Sequence, residues 1–133
     1  MDGNQEAAAY LDKALESLAG AQSEYDEARY NNSANRAYYA AFQAAIAALL
    51  IESIRSDGEQ WPHTFVQAEF SGRLIGRRHR YPSSLQNTLA ELETLRLRAD
   101  YRSARISEPV ARRGLRRCRE FVEAIQAQGA ERR

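Results

Sequence analysis

Cysteine is almost absent from this chain. Cys118 is the only one among 133 residues, which excludes an internal disulfide and a cysteine-based metal site built from one copy, and fits a reducing compartment. Histidine is nearly as scarce: His63 and His79 are the only two. Neither pairs with a Glu on one helix at the spacing of a zinc or di-iron site, so no metal and no cofactor is expected. Phosphate-cradling glycine loops are missing, as is a local signature of a Ser-His-Asp nucleophile. Long hydrophobic runs are missing too. The most apolar stretch, Ala40 to Ile51, is interrupted by Gln43 and too short to cross a bilayer. Met1 to Glu6 are acidic and polar, the reverse of a secretory signal. A soluble, cytoplasmic protein without membrane contact is the expectation. The chain has no internal repeat, no low-complexity tract and no strand-like alternation, and its length suits one domain with its own core.

What is abundant is arginine, and it is unevenly placed. The formal net charge is only +1, yet residues 1–60 carry four basic side chains (Lys13, Arg29, Arg36, Arg55) against ten acidic ones. Residues 61–133 carry fifteen, all Arg, against eight. Either the two halves attract each other, within a bundle or between subunits, or the Arg-rich half faces phosphates.

Helical periodicity organises the rest. Ala7, Leu11, Ala14, Leu18, Ala21, Tyr25 and Ala28 recur at steps of four and three, which predicts a helix from about Asn4 to Arg29. Gly20 within it marks a kink or a close helix contact. Tyr30-Asn31-Asn32-Ser33 reads as a turn, because Asn tolerates left-handed backbone and Ser33 can cap the second helix. That helix, about Ala34 to Arg55, is apolar around most of its circumference and belongs at the centre of a bundle. After a loop at 56–60, Trp61-Pro62-His63 opens a shorter helix that should end near Ser71-Gly72. The basic segment 73–82 reads as a loop. A fourth helix starts after Pro82, with Ser83 as its cap, and puts Leu85, Leu89, Leu92 and Leu95 on one face. Ser107-Glu108-Pro109 starts the last helix. Its buried stripe is Leu115, Cys118, Val122 and Ile125, so Cys118 is a small core residue, and the tail at 127–133 should be frayed. The fold class is therefore all-α, a four- to five-helix up-and-down bundle formed by 1–133 as one domain, with its core at about 8–125.

Polar chemistry gathers where the fourth helix ends, at Arg96, Asp100 and Tyr101. Two readings stand side by side. These groups make ordinary structural hydrogen bonds, or Arg96 contacts phosphate with acid–base help from His63, Asp100 or Tyr101. Asn35 and Arg36, at the start of the second helix, are candidates to supply polar contacts there.

The run Asn35-Arg36-Ala37-Tyr38-Tyr39-Ala40-Ala41-Phe42, then His63, then Leu92-x-x-Leu95-Arg96-x-x-Ala99-Asp100-Tyr101, resembles the HEPN domain superfamily. The likeness is to its small single-domain subgroup with an Arg-x-x-Ala-Asp-Tyr motif, and it covers about Ala8 to Ile125. It implies a helical homodimer, often partnered by a nucleotidyltransferase-like antitoxin in a toxin–antitoxin module. It also implies metal-independent RNA cleavage by an Arg-x(4–6)-His motif at a dimer cleft. In that chemistry the 2′-hydroxyl attacks the adjacent phosphate, the Arg stabilises the gathering charge and the His moves protons. Arg96 matches the motif arginine, and the place of its histidine is taken by Tyr101. A phenol, with a reference pKa of about 10, is a poorer base near neutrality than an imidazole at about 6.5. Gln43 likewise follows Phe42 where relatives often have His. His63 matches a histidine of the subgroup, and Asp100 is expected to hold Arg96. Arg73 and His79 also satisfy an Arg-x(5)-His spacing, but in a Gly- and Pro-flanked segment rather than on the motif helix. The alternative is a non-catalytic dimeric interaction module in which Arg96, Asp100 and Tyr101 pin the fourth helix to its neighbours.

Overall fold

The second helix is the axis of the molecule. In a computed structural model of the protein, which describes residues 3–101, 103 and 105–131, α1 (Gly3–Asp26) leads into α2 (Tyr30–Ile51). Then come α3 (His63–Glu69), a π-helical continuation of it (Phe70–Arg77), a 3-10 turn (Ser83–Leu85), α4 (Thr88–Tyr101) and α5 (Glu108–Glu131). This is an all-α bundle of five helices, with no strand among the described residues. None of its helices is long and apolar enough to cross a membrane. Helix α2 packs against α1, α3, α4 and α5. Its Ala37, Ala40, Ala41, Ala44, Ala45, Ala47 and Ala48 are all buried, and side chains this small let four neighbours approach one rod. Tyr38, Ile46 and Leu49 fill the wider gaps. Ser33 lies against Ala21 and Ser17 against Gln43, so α1 runs antiparallel to α2. Tyr38 reaches Glu93 and Asn35 reaches Asp100, so α4 does the same. The stripes read from periodicity are inside: Ala7, Leu11, Ala14, Leu18 and Ala21 of α1, and Leu115, Cys118, Val122 and Ile125 of α5.

Several boundaries differ from the sequence expectations. Tyr30 to Ser33 is not a turn but the first turn of α2. The reversal lies at Glu27–Arg29, where the Arg29 N–H donates to Glu24 O (2.8 Å) and the Ala28 N–H to Tyr25 O (2.9 Å). That is the Schellman pattern of helix ends, with Ala28 left-handed at φ 60°. Ser33 is buried one turn into α2, its Oγ donating to Ala21 O at 2.9 Å, and caps nothing. Gly20 does not break α1, and it is a point of close helix contact, facing the aliphatic part of Arg36 on α2. Helix α2 ends at Ile51 rather than near Arg55, in the same pattern, with Ser53 at φ 62° and Ile54 buried beyond it.

The third helix does not stop at Ser71-Gly72. It widens into π turns that carry Arg73 to Arg77, because Phe70, Leu74 and Ile75 all reach the core from this stretch. Arg73 is therefore helical and pairs with Glu69 at 3.8 Å. Ser83 makes no cap hydrogen bond; it opens the 3-10 turn that precedes α4. Ser107 does cap, its Oγ accepting from the Val110 N–H at 3.4 Å. Helix α5 runs past Gln126 to Glu131. Arg132 and Arg133 lie outside the described residues, as do Met1, Asp2, Arg102 and Ala104.

Candidate functional site

The motif helix is anchored by Leu89 and Leu92, both buried, with Leu95 half-buried one turn on. Arg96 comes next, on the flank of that stripe. Its side chain is only 13% exposed, and the guanidinium stands 5.0 Å from the ring centre of Tyr38 and 5.7 Å from that of Tyr39. The negative ring faces hold the cation. Asp100, one turn later, approaches Nη1 at 3.5 Å, and Asn35 Nδ2 donates to both Asp100 oxygens, at 3.2 and 3.0 Å. A brace thus runs from α2 through a carboxylate to the arginine. Arg96 Nε is buried and has no hydrogen-bond partner among the described residues.

His63 sits across Tyr38 from the start of α3. Its ring packs on Phe42 (4.3 Å between centres) and Tyr38 (5.5 Å). Nδ1 lies 2.5 Å from Tyr38 Oη and 3.6 Å from Glu93 Oε2. Tyr38 Oη is also 3.5 Å from Glu93 Oε2, and Gln67 Nε2 donates to Glu93 Oε1 at 3.1 Å. Burial first, and the Glu93 carboxylate second, push the Tyr38 hydroxyl well above its usual range, against the opposing pull of a Gln67 hydrogen bond and then of Arg96. Tyr38 stays a phenol at any ordinary pH.

Of the residues singled out from the sequence, Arg96, Asp100, Asn35 and His63 come together around Tyr38. Arg36 does not join them: it is exposed on the side of α2 that meets α1. Tyr101 is 74% exposed at the end of α4 and makes no hydrogen bond to the described residues. His79 is exposed, with a left-handed backbone at φ 51°. Sequence reasoning missed Tyr38 as the shared support, Glu93 and Gln67 as partners of His63, and Asn31. Asn31 Nδ2 reaches Ala99 O at 3.5 Å and Oδ1 accepts from the Ile106 N–H at 2.9 Å, so it ties the end of α4 to α2. Helical spacing offered a signal for two of these: Glu93 precedes Arg96 by three residues, and Gln67 lies four residues after His63. Among the described residues no three His, Cys, Asp or Glu side chains converge as metal ligands.

Beside the motif, α4 and α5 enclose a groove of about 340 Å³. Leu92, Leu95 and Val110 line its apolar part and Arg98, Arg113 and Arg117 its rim. Arg117 pairs with Glu91 at 3.1 Å. The all-α bundle agrees with the family comparison, in which residues 7–128 match the HEPN domain. The chain belongs to the HEPN family. No curated protein matches this HEPN chain. Membership points to a ribonuclease or nucleotide-interacting role.

Proposed function

We propose that this HEPN domain is a metal-independent endoribonuclease of the toxin type, with Arg96 as its phosphate contact and His63 as the proton-transfer group. The observation that carries the reading is the state of Arg96. A guanidinium stacked on two tyrosines and braced by one carboxylate is oriented before any ligand arrives, and its buried Nε has no acceptor among the described residues. Preorganised donors of this kind stabilise charge that develops on a phosphorane without having to reorganise. The guanidiniums of Arg98, Arg113 and Arg117 on the adjoining groove would extend the contact along an RNA backbone. A homodimer is part of the reading. Leu97 and Tyr101, 43% and 74% exposed, are the large hydrophobics left open among the described residues, one turn apart and next to Arg96 and Asp100. A nucleotidyltransferase-like protein encoded nearby is the expected antitoxin partner.

The test is incubation of the purified protein with total RNA in chelator, beside Arg96→Ala and Arg96→Lys at matched folding. Both variants should lose at least about a hundredfold in cleavage, Lys included, because an ammonium cannot reproduce the fork. Cleavage by the variants equal to wild type sinks the assignment. The second reading, a non-catalytic dimeric interaction module, draws on Tyr101 standing exposed where a motif histidine would be. Under it wild type leaves RNA intact and Arg96→Ala lowers thermal stability instead.

A further inference from the structure

The contact among Tyr38, His63 and Glu93 decides which nitrogen of His63 is free to act. Tyr38 Oη, His63 Nδ1 and Glu93 Oε2 approach one another at 2.5, 3.5 and 3.6 Å, and these three atoms must share the available protons. A carboxylate only accepts. Were Tyr38 Oη–H to donate its hydrogen bond to a bare Nδ1, that hydrogen would lie between Oη and Nδ1 and neither atom would offer one to Glu93 Oε2. With the proton on Nδ1, the ring donates to Oη, Oη–H turns to Glu93 Oε2, and each atom has its complement. Gln67 holds the other carboxylate oxygen at 3.1 Å and keeps Glu93 in place. Tyr38 is fully buried and well placed for the task, since burial and Glu93 both disfavour its phenolate.

We propose that Glu93 and Tyr38 are positioning residues that hold His63 as its Nδ1–H tautomer and leave Nε2 as the bare nitrogen that takes the 2′-hydroxyl proton of RNA. The proposal rests on the ribonuclease reading above. Nε2 has no partner among the described residues, and the ring is 37% exposed. In the step, the 2′-hydroxyl gives its proton to Nε2, the O2′–P bond forms and the P–O5′ bond breaks. The 5′-oxygen takes a proton from water, and the imidazolium, steadied by Glu93 through Nδ1–H and Tyr38, returns its own to solvent. The charged or titratable groups that face the ring are Tyr38 from α2 and Glu93 from α4, with Arg96 beyond Tyr38. Base and phosphate contact therefore share one tyrosine as support.

The test reads the tautomer directly, by nitrogen-15 correlation of the histidine rings in the full chain, with His79→Gln to assign the two. Wild type should show Nδ1–H at His63, and Glu93→Gln should move it toward Nε2–H. In RNA cleavage the same variant should lose about tenfold or more in kcat with KM little changed. Tyr38→Phe is the second variant and should scramble the tautomer in the same way. An Nε2–H tautomer in wild type overturns the proposal, as does a Glu93→Gln protein with unchanged tautomer. An Nδ1–H ring in a wild-type protein that cleaves no RNA overturns the ribonuclease reading and the catalytic role with it, leaving only the tautomer assignment.

Discussion

Ala28 holds a left-handed backbone, φ 60°, at the point where α1 closes. A Cβ in that region costs roughly 1–2 kcal/mol, which glycine avoids at some loss to the unfolded chain's greater freedom. Ala28→Gly should therefore raise stability by roughly 0.5–1 kcal/mol, read as a higher urea midpoint; a lower midpoint contradicts the strain. Asn31 and Asn32 are the residues that suit left-handed backbone by type, which is why the turn is misplaced by local chemistry. Tertiary packing buries Ser33 and assigns Asn31 to α4 instead. Cys118 supplies a second test. Burial pushes its thiol from 9.0 up to about 12, so over that range the folded chain keeps a proton that the unfolded chain has lost. This contribution to stability is complete below pH 9 and falls as pH rises toward 12, by at most about 1.4 kcal/mol per pH unit. Cys118→Ala should flatten the fall between pH 9 and 10 in chemical denaturation, before Tyr38, also raised from 10.0, adds a decline of the same sign. Equal slopes in the two proteins would refute it.

At the scale of elements, the long amphipathic stretches of α1 and α5 are legible because each buries one stripe, and a stripe is a pattern within the chain itself. Helix α2 is legible as central for the related reason that it lacks a polar face. The basic segment after Gly72 is not, since nothing local says that Phe70, Leu74 and Ile75 will be wanted by the core at once. Its exit is tied back by Glu52, whose side chain is only 5% exposed. Arg78 Nη1 reaches Oε1 at 3.2 Å and the Glu52 carbonyl at 3.1 Å, and Arg80 Nε reaches Oε1 at 3.3 Å. Glu52→Gln weakens both charge-assisted contacts, at a cost of about 1 kcal/mol given how open the arginines are. The readout is limited trypsin digestion: cleavage within Arg77 to Arg80 should quicken several-fold while cutting in α5 does not. Uniform acceleration along the chain would mean global loosening instead.

For the whole molecule, the charge asymmetry acquires a physical account. Glu52 with Arg78 and Arg80 joins the acidic half to the Arg-rich half, whereas Glu6–Arg55, Glu24–Arg29, Arg96–Asp100 and Arg112–Glu108 pair within their own half. Among the described residues most ion pairs thus lie within one half, and Arg98 and Arg113 line the groove beside the motif. If two copies meet over Leu97 and Tyr101, Leu97→Glu should convert a dimeric mass to a monomeric one in light scattering at micromolar concentration. It should do so with unchanged helicity; a wild-type monomer at that concentration contradicts the shared face. The all-α class, the central helix, the buried cysteine and the candidacy of Arg96, Asp100, Asn35 and His63 can all be read from the chain, because periodicity and motif spacing are one-dimensional. Where the reversals fall, that Arg36 and Tyr101 stand apart, and that Tyr38 gathers arginine, histidine and glutamate around one ring depend on which surfaces of separate helices meet. That is decided by packing, where burial of Tyr38 against α3 and α4 outweighs any local preference.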